Sequence, residues 1–314
     1  MEKSLAPVTT PELVTANDTT DPKTKVYLAL ISVQIFFGIH YFAAKEVLKE
    51  IPAPTWASLR VTLGAILMLL LVLPRVKKSF PRNARDFGWI FIYAIFGVAI
   101  NQIFFTEGLS RSVPTHSAII NTIIPITTLL FAILFKKETF SLSKALSIII
   151  SLTGVLYLLE IDKLQFSSSY VIGDLLTLIN ALSFSFFLVI SKEIVMRYDP
   201  FVITAILLAF GSTIITGYGA TSLVKFDPSA VSSYTWAWGA FIVIFPTVLA
   251  YFFNYWALKR VESSLVAFFI YIQPPIAATL SIIFRGDHLT LRMVVSAILI
   301  FIGSVLSVRA RRLG

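Results

Sequence analysis

The sequence predicts an all-α membrane protein of ten transmembrane helices, arranged as two inverted five-helix repeats around a central cavity. Three observations carry this reading. Of the 314 residues, 57% are hydrophobic and 14% charged, against roughly 25% charged in a soluble domain. The apolar residues fall into blocks of about 20, the length that crosses roughly 30 Å of hydrocarbon. The second half of the chain also repeats the first at a nearly fixed offset.

Residues 1–25 are polar and rich in Thr and Pro. They lack an apolar stretch beside a basic one and so do not read as a signal peptide; a disordered cytoplasmic tail is expected. The apolar blocks then run over 26–44, 55–73, 87–107, 116–135, 142–160, 171–191, 201–222, 234–257, 263–284 and 290–308. A segment in lipid must satisfy its own backbone hydrogen bonds, so each block is read as a helix. A β-barrel would need alternating segments of about 10 residues, and these do not occur. Residues 309–314 form a short basic tail.

Lys and Arg in the connections orient the chain. With the N-terminus inside, 18 basic residues fall on the cytoplasmic side and 7 outside, with Arg60 inside a helix. The stretch from Arg75 to Arg85 carries five of the inner charges. Both termini are therefore expected in the cytoplasm of a cell whose plasma (inner) membrane holds the protein. The formal charge of +9 is explained by this distribution rather than by nucleic-acid binding. The absence of Cys excludes disulfides, thiolate nucleophiles and Cys-based metal sites.

At an offset of 149, Phe104 falls on Phe253, Arg111 on Arg260, Pro125 on Pro274, Ser147 on Ser296 and Gly154 on Gly303. At 147, Lys45-Glu46 falls on Lys192-Glu193 and Phe37 on Phe184. The halves are 26–160 and 171–308, each of five helices. Five is odd, so the two copies enter the bilayer from opposite sides. Inverted repeats suit alternating access, with the solute site at their interface near the midplane.

These motifs resemble the drug/metabolite transporter superfamily, in its EamA family. The resemblance rests on Gly38, Tyr41 and Lys45 in the first helix, Pro52 or Pro54 before Arg60, and Gly173-Asp174-Leu175-Leu176 opening the second half. Glu138 and Asp287 stand where the family places an acid between the fourth and fifth helices of each half. Over residues 26–308 the resemblance implies ten helices and export of amino acids or related metabolites.

The residues themselves locate a candidate site. Polar side chains inside a span are costly and face a cavity or another helix. Helix one carries Gln34, Phe37 and Tyr41 on one face, and helix six carries Asn180 and Phe184, at helical spacing. Helix three adds Asn101 and Phe105; its counterpart, helix eight, adds Tyr251 and Asn254. Asn121, Tyr271 and Gln273 come from helices four and nine. Proline removes the hydrogen bond to the carbonyl four residues earlier. Pro125, Pro246, Pro274 and Pro275 therefore free the carbonyls of Asn121, Ile242, Ile270 and Tyr271. Such a carbonyl either binds solute or marks a kink met by a neighbouring Ser or Thr, and the kink is the simpler reading. Each amide has the alternative of an interhelical hydrogen bond worth roughly 0.6–2 kcal/mol.

His40 and Glu107 are the titratable groups nearest the hydrocarbon and the candidates for proton coupling, His being best poised near neutral pH. His40 lies off the Gln34–Tyr41 stripe, and Glu107 ends helix three within reach of interfacial water. Arg60 reads as a snorkelling or structurally paired residue. Amides and aromatics with few charges suit a zwitterionic or neutral amphipathic solute. The expected function is secondary export or facilitation of amino acids or similar metabolites, with no cofactor and no metal. Transport of phosphorylated or nucleotide-linked sugars is an alternative that calls for several cavity-facing cations. A membrane-embedded enzyme would need a catalytic motif, and no His-Glu-x-x-His, paired aspartates or nucleophile elbow occurs. A scaffold subunit would not need duplicated polar stripes. No Walker motif is present, so no ATP hydrolysis is expected.

Overall fold

The computed structural model describes residues 22–73, 80–81, 83–112, 114–158, 170–276, 279 and 290–309. These residues form helices joined by short turns. The first is α1 (Pro22–Glu50), followed by α2 (Ala53–Val72), α3 (Ala84–Arg111), α4 (Pro114–Asn121), α5 (Ile124–Leu134) and α6 (Leu142–Leu158). Then come α7 (Val171–Ile190), the short α8 (Lys192–Arg197), α9 (Pro200–Val224), α10 (Ser233–Leu258), α11 (Ser263–Ile276) and α12 (Leu291–Arg309). Among the described residues, α1, α2, α3, α7, α9 and α10 are long and apolar enough to cross a membrane. Shorter apolar helices cover Ile124–Leu134, Leu142–Tyr157, Ser263–Ile276 and Val294–Gly303. Asp287 and most of the segments 1–25 and 309–314 lie outside the described residues.

Helix starts follow local chemistry. Asn83, Asp199 and Ser232 each turn a side-chain oxygen to a backbone N–H of the first turn of α3, α9 and α10, meeting donors that have no partner inside the helix. α1 runs six residues beyond its apolar block, because Lys45–Glu50 continue the helix although four of the six are charged. Large apolar side chains lie on the outer surface, among them Leu70, Leu134, Phe140 and Phe301. Gln34, Asn101, Gln102, Asn121, Asn180, Asn254 and Gln273 are buried. Apolar outside and polar within is the distribution expected when lipid is the solvent.

Packing across the two halves is paired. α2 and α9 run antiparallel: Thr55 meets Ser222 at 2.6 Å, Ser58 donates to the Ile215 carbonyl at 3.0 Å, and Thr62 meets Thr216 at 3.1 Å. α6 and α12 also run antiparallel, with their backbones close together. A Cβ placed on Gly154 would lie 3.0 Å from the Ser296 carbonyl oxygen, and one on Gly303 would lie 2.8 Å from that of Ser147. Each helix thus offers bare backbone to the other, as small residues do in membrane helix packing. α1 packs along α10, α3 along α7 and α5 against α11.

Two polar clusters sit at opposite ends of the bundle. At one, Lys45 donates from Nζ to the carbonyls of Leu109 and Ser112, both at 2.9 Å. Asp174 there accepts from the Ser112 hydroxyl at 2.5 Å and pairs with His116 at 2.9 Å. At the other, Glu138 accepts from the Ser264 hydroxyl at 2.5 Å and pairs with Lys144 at 3.1 Å. Lys137 pairs with Glu193 at the same end, and Asp86 accepts from the Tyr198 hydroxyl at 2.5 Å.

Candidate functional site

Between these ends lies a cavity walled by α1, α2, α3, α4, α5, α7, α10 and α11. Its shape begins with irregular backbone. α3 and α10 each contain a π-helical stretch, Ile95–Ile100 and Val243–Leu249. Pro246 lies inside the second, while Gly97 holds the corresponding place in the first. A π turn leaves carbonyls without their usual partners and commonly marks a functional segment. Here neighbouring helices meet them. Ser183 of α7 donates to the Phe96 carbonyl at 2.7 Å, Tyr251 of α10 to that of Gly97 at 3.1 Å, and Asn180 of α7 to that of Asn101 at 2.9 Å.

Residues 114–134 and 263–276 are interrupted in a matching way. α4 ends at Asn121 and α5 restarts at Ile124 with Pro125 in its first turn, where proline's missing N–H costs nothing. Within α11, residues Phe269–Ile272 tighten into a 3-10 turn just before Pro274. Both interruptions open at the cavity, to which Asn121, Ile124, Ile270 and Gln273 contribute.

Most of the residues expected at the site meet there. Gln34, Phe37, Tyr41, Asn101, Phe105, Asn121, Asn180, Phe184, Tyr251, Asn254 and Gln273 all line the cavity. They are joined into short chains of hydrogen bonds. Gln273 donates to Gln34 Oε1 at 2.6 Å and Asn121 to the Tyr41 hydroxyl at 2.6 Å. Gln102 Nε2 donates to the Tyr251 hydroxyl at 2.7 Å and to Asn101 Oδ1 at 3.0 Å. The aromatic walls are Phe105, which stacks on His40 with centroids 5.2 Å apart, and Phe184, which stacks on Phe187 at 6.3 Å. The cavity holds about 70 Å³ in this conformation, room for a few waters.

Four expectations change. Tyr271 does not line the cavity; it is fully buried and packs edge-on against Phe268 at 5.4 Å. Glu107 does not line the cavity; its side chain keeps 9% exposure at the end of α3. It is buried, accepts from the Tyr218 hydroxyl at 2.8 Å and pairs with Arg111 at 2.8 Å. Two residues beyond Phe105 on a helix, it points to the opposite side. His40, by contrast, does line the cavity, since it neighbours Phe37 one turn along α1. Arg60 does not snorkel: it is 1% exposed and lines the cavity.

The proline carbonyls resolve in part. The Ile242 carbonyl freed by Pro246 accepts from the Thr247 hydroxyl at 2.9 Å, the kink reading. Thr247 Oγ1 in turn accepts from Arg60 Nε at 2.7 Å. Pro274 and Pro275 stand behind the cavity wall in the helical residues after Gln273. The cavity also takes in Arg60, Gln102, Phe187 and Tyr255, with Ile124, Leu188, Val266 and Ile270 as further apolar lining. An arginine amid an apolar span is the signal that pointed to the first.

A model of the EamA-like transporter family matches residues 24–159 and again 171–309. The chain belongs to the EamA-like transporter family. Among its relatives, an uncharacterized transporter of Archaeoglobus fulgidus is 24% identical over 292 residues, covering 91% of this chain and 100% of the relative. The uncharacterized transporter YvbV of Bacillus subtilis is 25% identical over 283 residues, covering 89% and 90%. A crystal structure of another protein matches with a TM-score of 0.74 at 18% identity, covering 92% of this chain and 99% of that one. At that identity the likeness concerns the fold alone.

Proposed function

We propose that this EamA-like protein is a secondary transporter, an exporter or facilitator of amino acids or similar small amphipathic metabolites working by alternating access. The observation that carries the reading is the cavity, where amides and aromatics from both halves converge on four interrupted helices. Amides pair the polar end of such a solute and aromatic rings take its apolar part.

In this reading ten spans form two inverted repeats, 26–160 and 171–308, with both termini in the cytoplasm and the chain in the plasma membrane. Several features support it. Helices that correspond between the halves, α2 with α9 and α6 with α12, run antiparallel. The contacts of α1 with α10 and of α3 with α7 exchange when the halves are exchanged. The π stretches match at an offset of 148 at their starts and 149 at their ends. A twofold axis in the membrane plane has these consequences, and two bundles so related can expose a shared site to either side. The polar clusters around Asp174 and Glu138 then serve as the two gates.

The test is counter-flow of labelled amino acids and small amphipathic metabolites in proteoliposomes, with and without a pH gradient. Exchange of at least one solute is expected, with Asn101→Leu and Asn254→Leu both reducing it while membrane insertion is kept. Counter-flow for no solute refutes transport, and normal flux in both variants refutes this placement of the site. A stimulated rate under the pH gradient, abolished in His40→Gln, would assign proton coupling to His40. Anionic sugar phosphates fit less well, because among the described residues Arg60 is the one Lys or Arg lining the cavity.

A further inference from the structure

The guanidinium of Arg60 is held in an unusual way. Its residue is 1% exposed, near the middle of α2 and among apolar neighbours. Nε is fixed by Thr247 Oγ1 at 2.7 Å. That oxygen is oriented to accept because its own proton goes to the Ile242 carbonyl released at the π stretch of α10. Nη2 is buried and has no hydrogen-bond partner. Among the described residues no Asp or Glu lines the cavity and no carboxylate pairs with Arg60. A buried charge without a counter-ion is expensive, and its usual remedy is a paired anion. Guanidinium presents its N–H groups as a planar fork that matches a carboxylate.

The complement is present nearby. Gln102 Oε1 and Asn121 Oδ1, both on cavity-lining residues, are buried acceptors without donors. Both amide nitrogens are already engaged, by Tyr251 and Asn101 for Gln102 and by Tyr41 for Asn121. The cavity therefore offers one fixed cation and at least two unfilled acceptors.

We propose that Arg60 is the specificity-determining residue of the cavity and binds the carboxylate of the transported solute, with Gln102 and Asn121 accepting from its N–H groups. The inference rests on the transporter reading and narrows it: solutes without a carboxylate are poor ligands, however well their apolar part fits Phe105 and Phe184. Thr247 is a positioning residue that holds the guanidinium through Nε.

The test is binding by purified full-length protein in nanodiscs, read as ligand-dependent thermal stabilisation. The probes are L-alanine, L-leucine, L-phenylalanine and 3-phenylpropionate, each compared with its own carboxamide. At least one acid is expected to bind wild-type protein about tenfold or more tightly than its amide, the scale of a lost hydrogen bond to a charged group. Arg60→Gln abolishes that difference, Arg60→Lys keeps part of it, and Thr247→Val weakens the acids while sparing the amides. The wild-type comparison stands even where a variant fails to fold.

Equal binding of acids and amides, binding of no acid, or an intact preference in folded Arg60→Gln overturns the proposal. Counter-flow separates its failure from that of the transporter reading. Exchange of solutes lacking a carboxylate, indifferent to Arg60→Gln, leaves transport standing and removes this assignment. Acid binding through Arg60 with no flux of any solute does the reverse.

Discussion

Tyr251 shows how one side chain ties the cavity to the backbone that shapes it. Its hydroxyl donates to the Gly97 carbonyl and accepts from Gln102, closing a gap that the π stretch opens. Replacing it with Phe leaves a buried carbonyl and an amide each short of a partner. Tyr251→Phe is expected to lower stability by about 1–2 kcal/mol, within the range of interhelical hydrogen bonds in membranes. A melting curve in detergent reads it, and an unchanged midpoint would show that water takes the hydroxyl's place. Arg60 is the opposite case at this scale. Its importance lies in what it lacks, a counter-charge, and α2 is apolar on its exposed face as well as its packed one, so no apolar stripe tells which way the guanidinium turns.

At the scale of elements, the close fit of α3 against α7 depends on Gly97. A Cβ there would stand 2.4 Å from the Phe187 ring, and that ring walls the cavity. Gly97→Ala is expected to displace Phe187, cost about 1–3 kcal/mol by overpacking, and reduce solute binding more than Gly217→Ala, where a Cβ meets open space. Equal effects of the two on binding and melting would refute the close-contact argument. The same elements show what could be read from sequence. Apolar blocks located the helices because lipid enforces their length, and a period of 3.6 grouped Gln34, Phe37 and Tyr41 correctly. The polar ends Lys45–Glu50 escaped, since a helix can outlast its apolar block. Tyr271 was misassigned because a 3-10 turn aligns residues three apart. Ile270 and Gln273 share the cavity face for that reason, and Tyr271 between them turns away. The π stretch of α3 has no proline near it, and the π stretch of α10 and the 3-10 turn of α11 have no sequence signature beyond a nearby proline.

For the whole molecule, the ends of the bundle matter most. The Glu193 carboxyl is held below the usual carboxylate range, first by its hydrogen bond with Lys137 and then by that residue's charge. The joint links the turn after α5 to α8 across the two halves. A lowered folded value means the contribution is present at neutral pH and is lost as acidification carries the pH down through that value. Both partners are well exposed, so the effect is expected to be small and to fade with salt. Tryptic cleavage after Lys137 should speed up at acidic pH and in high salt, and Glu193→Gln should remove the pH dependence of that cleavage, measured with a peptide control for the enzyme's own profile. A rate that follows only the control would show that the joint does not restrain this end. The seam of α6 and α12 differs in kind. Where Gly154 and Gly303 lie against the facing helix, a Cβ on either would run into that helix's main chain and into the side chains of Leu299 and Ser151. Such a crossing works as a clasp whose closeness the two bare positions set, and thickening either glycine would prise the pair of helices apart.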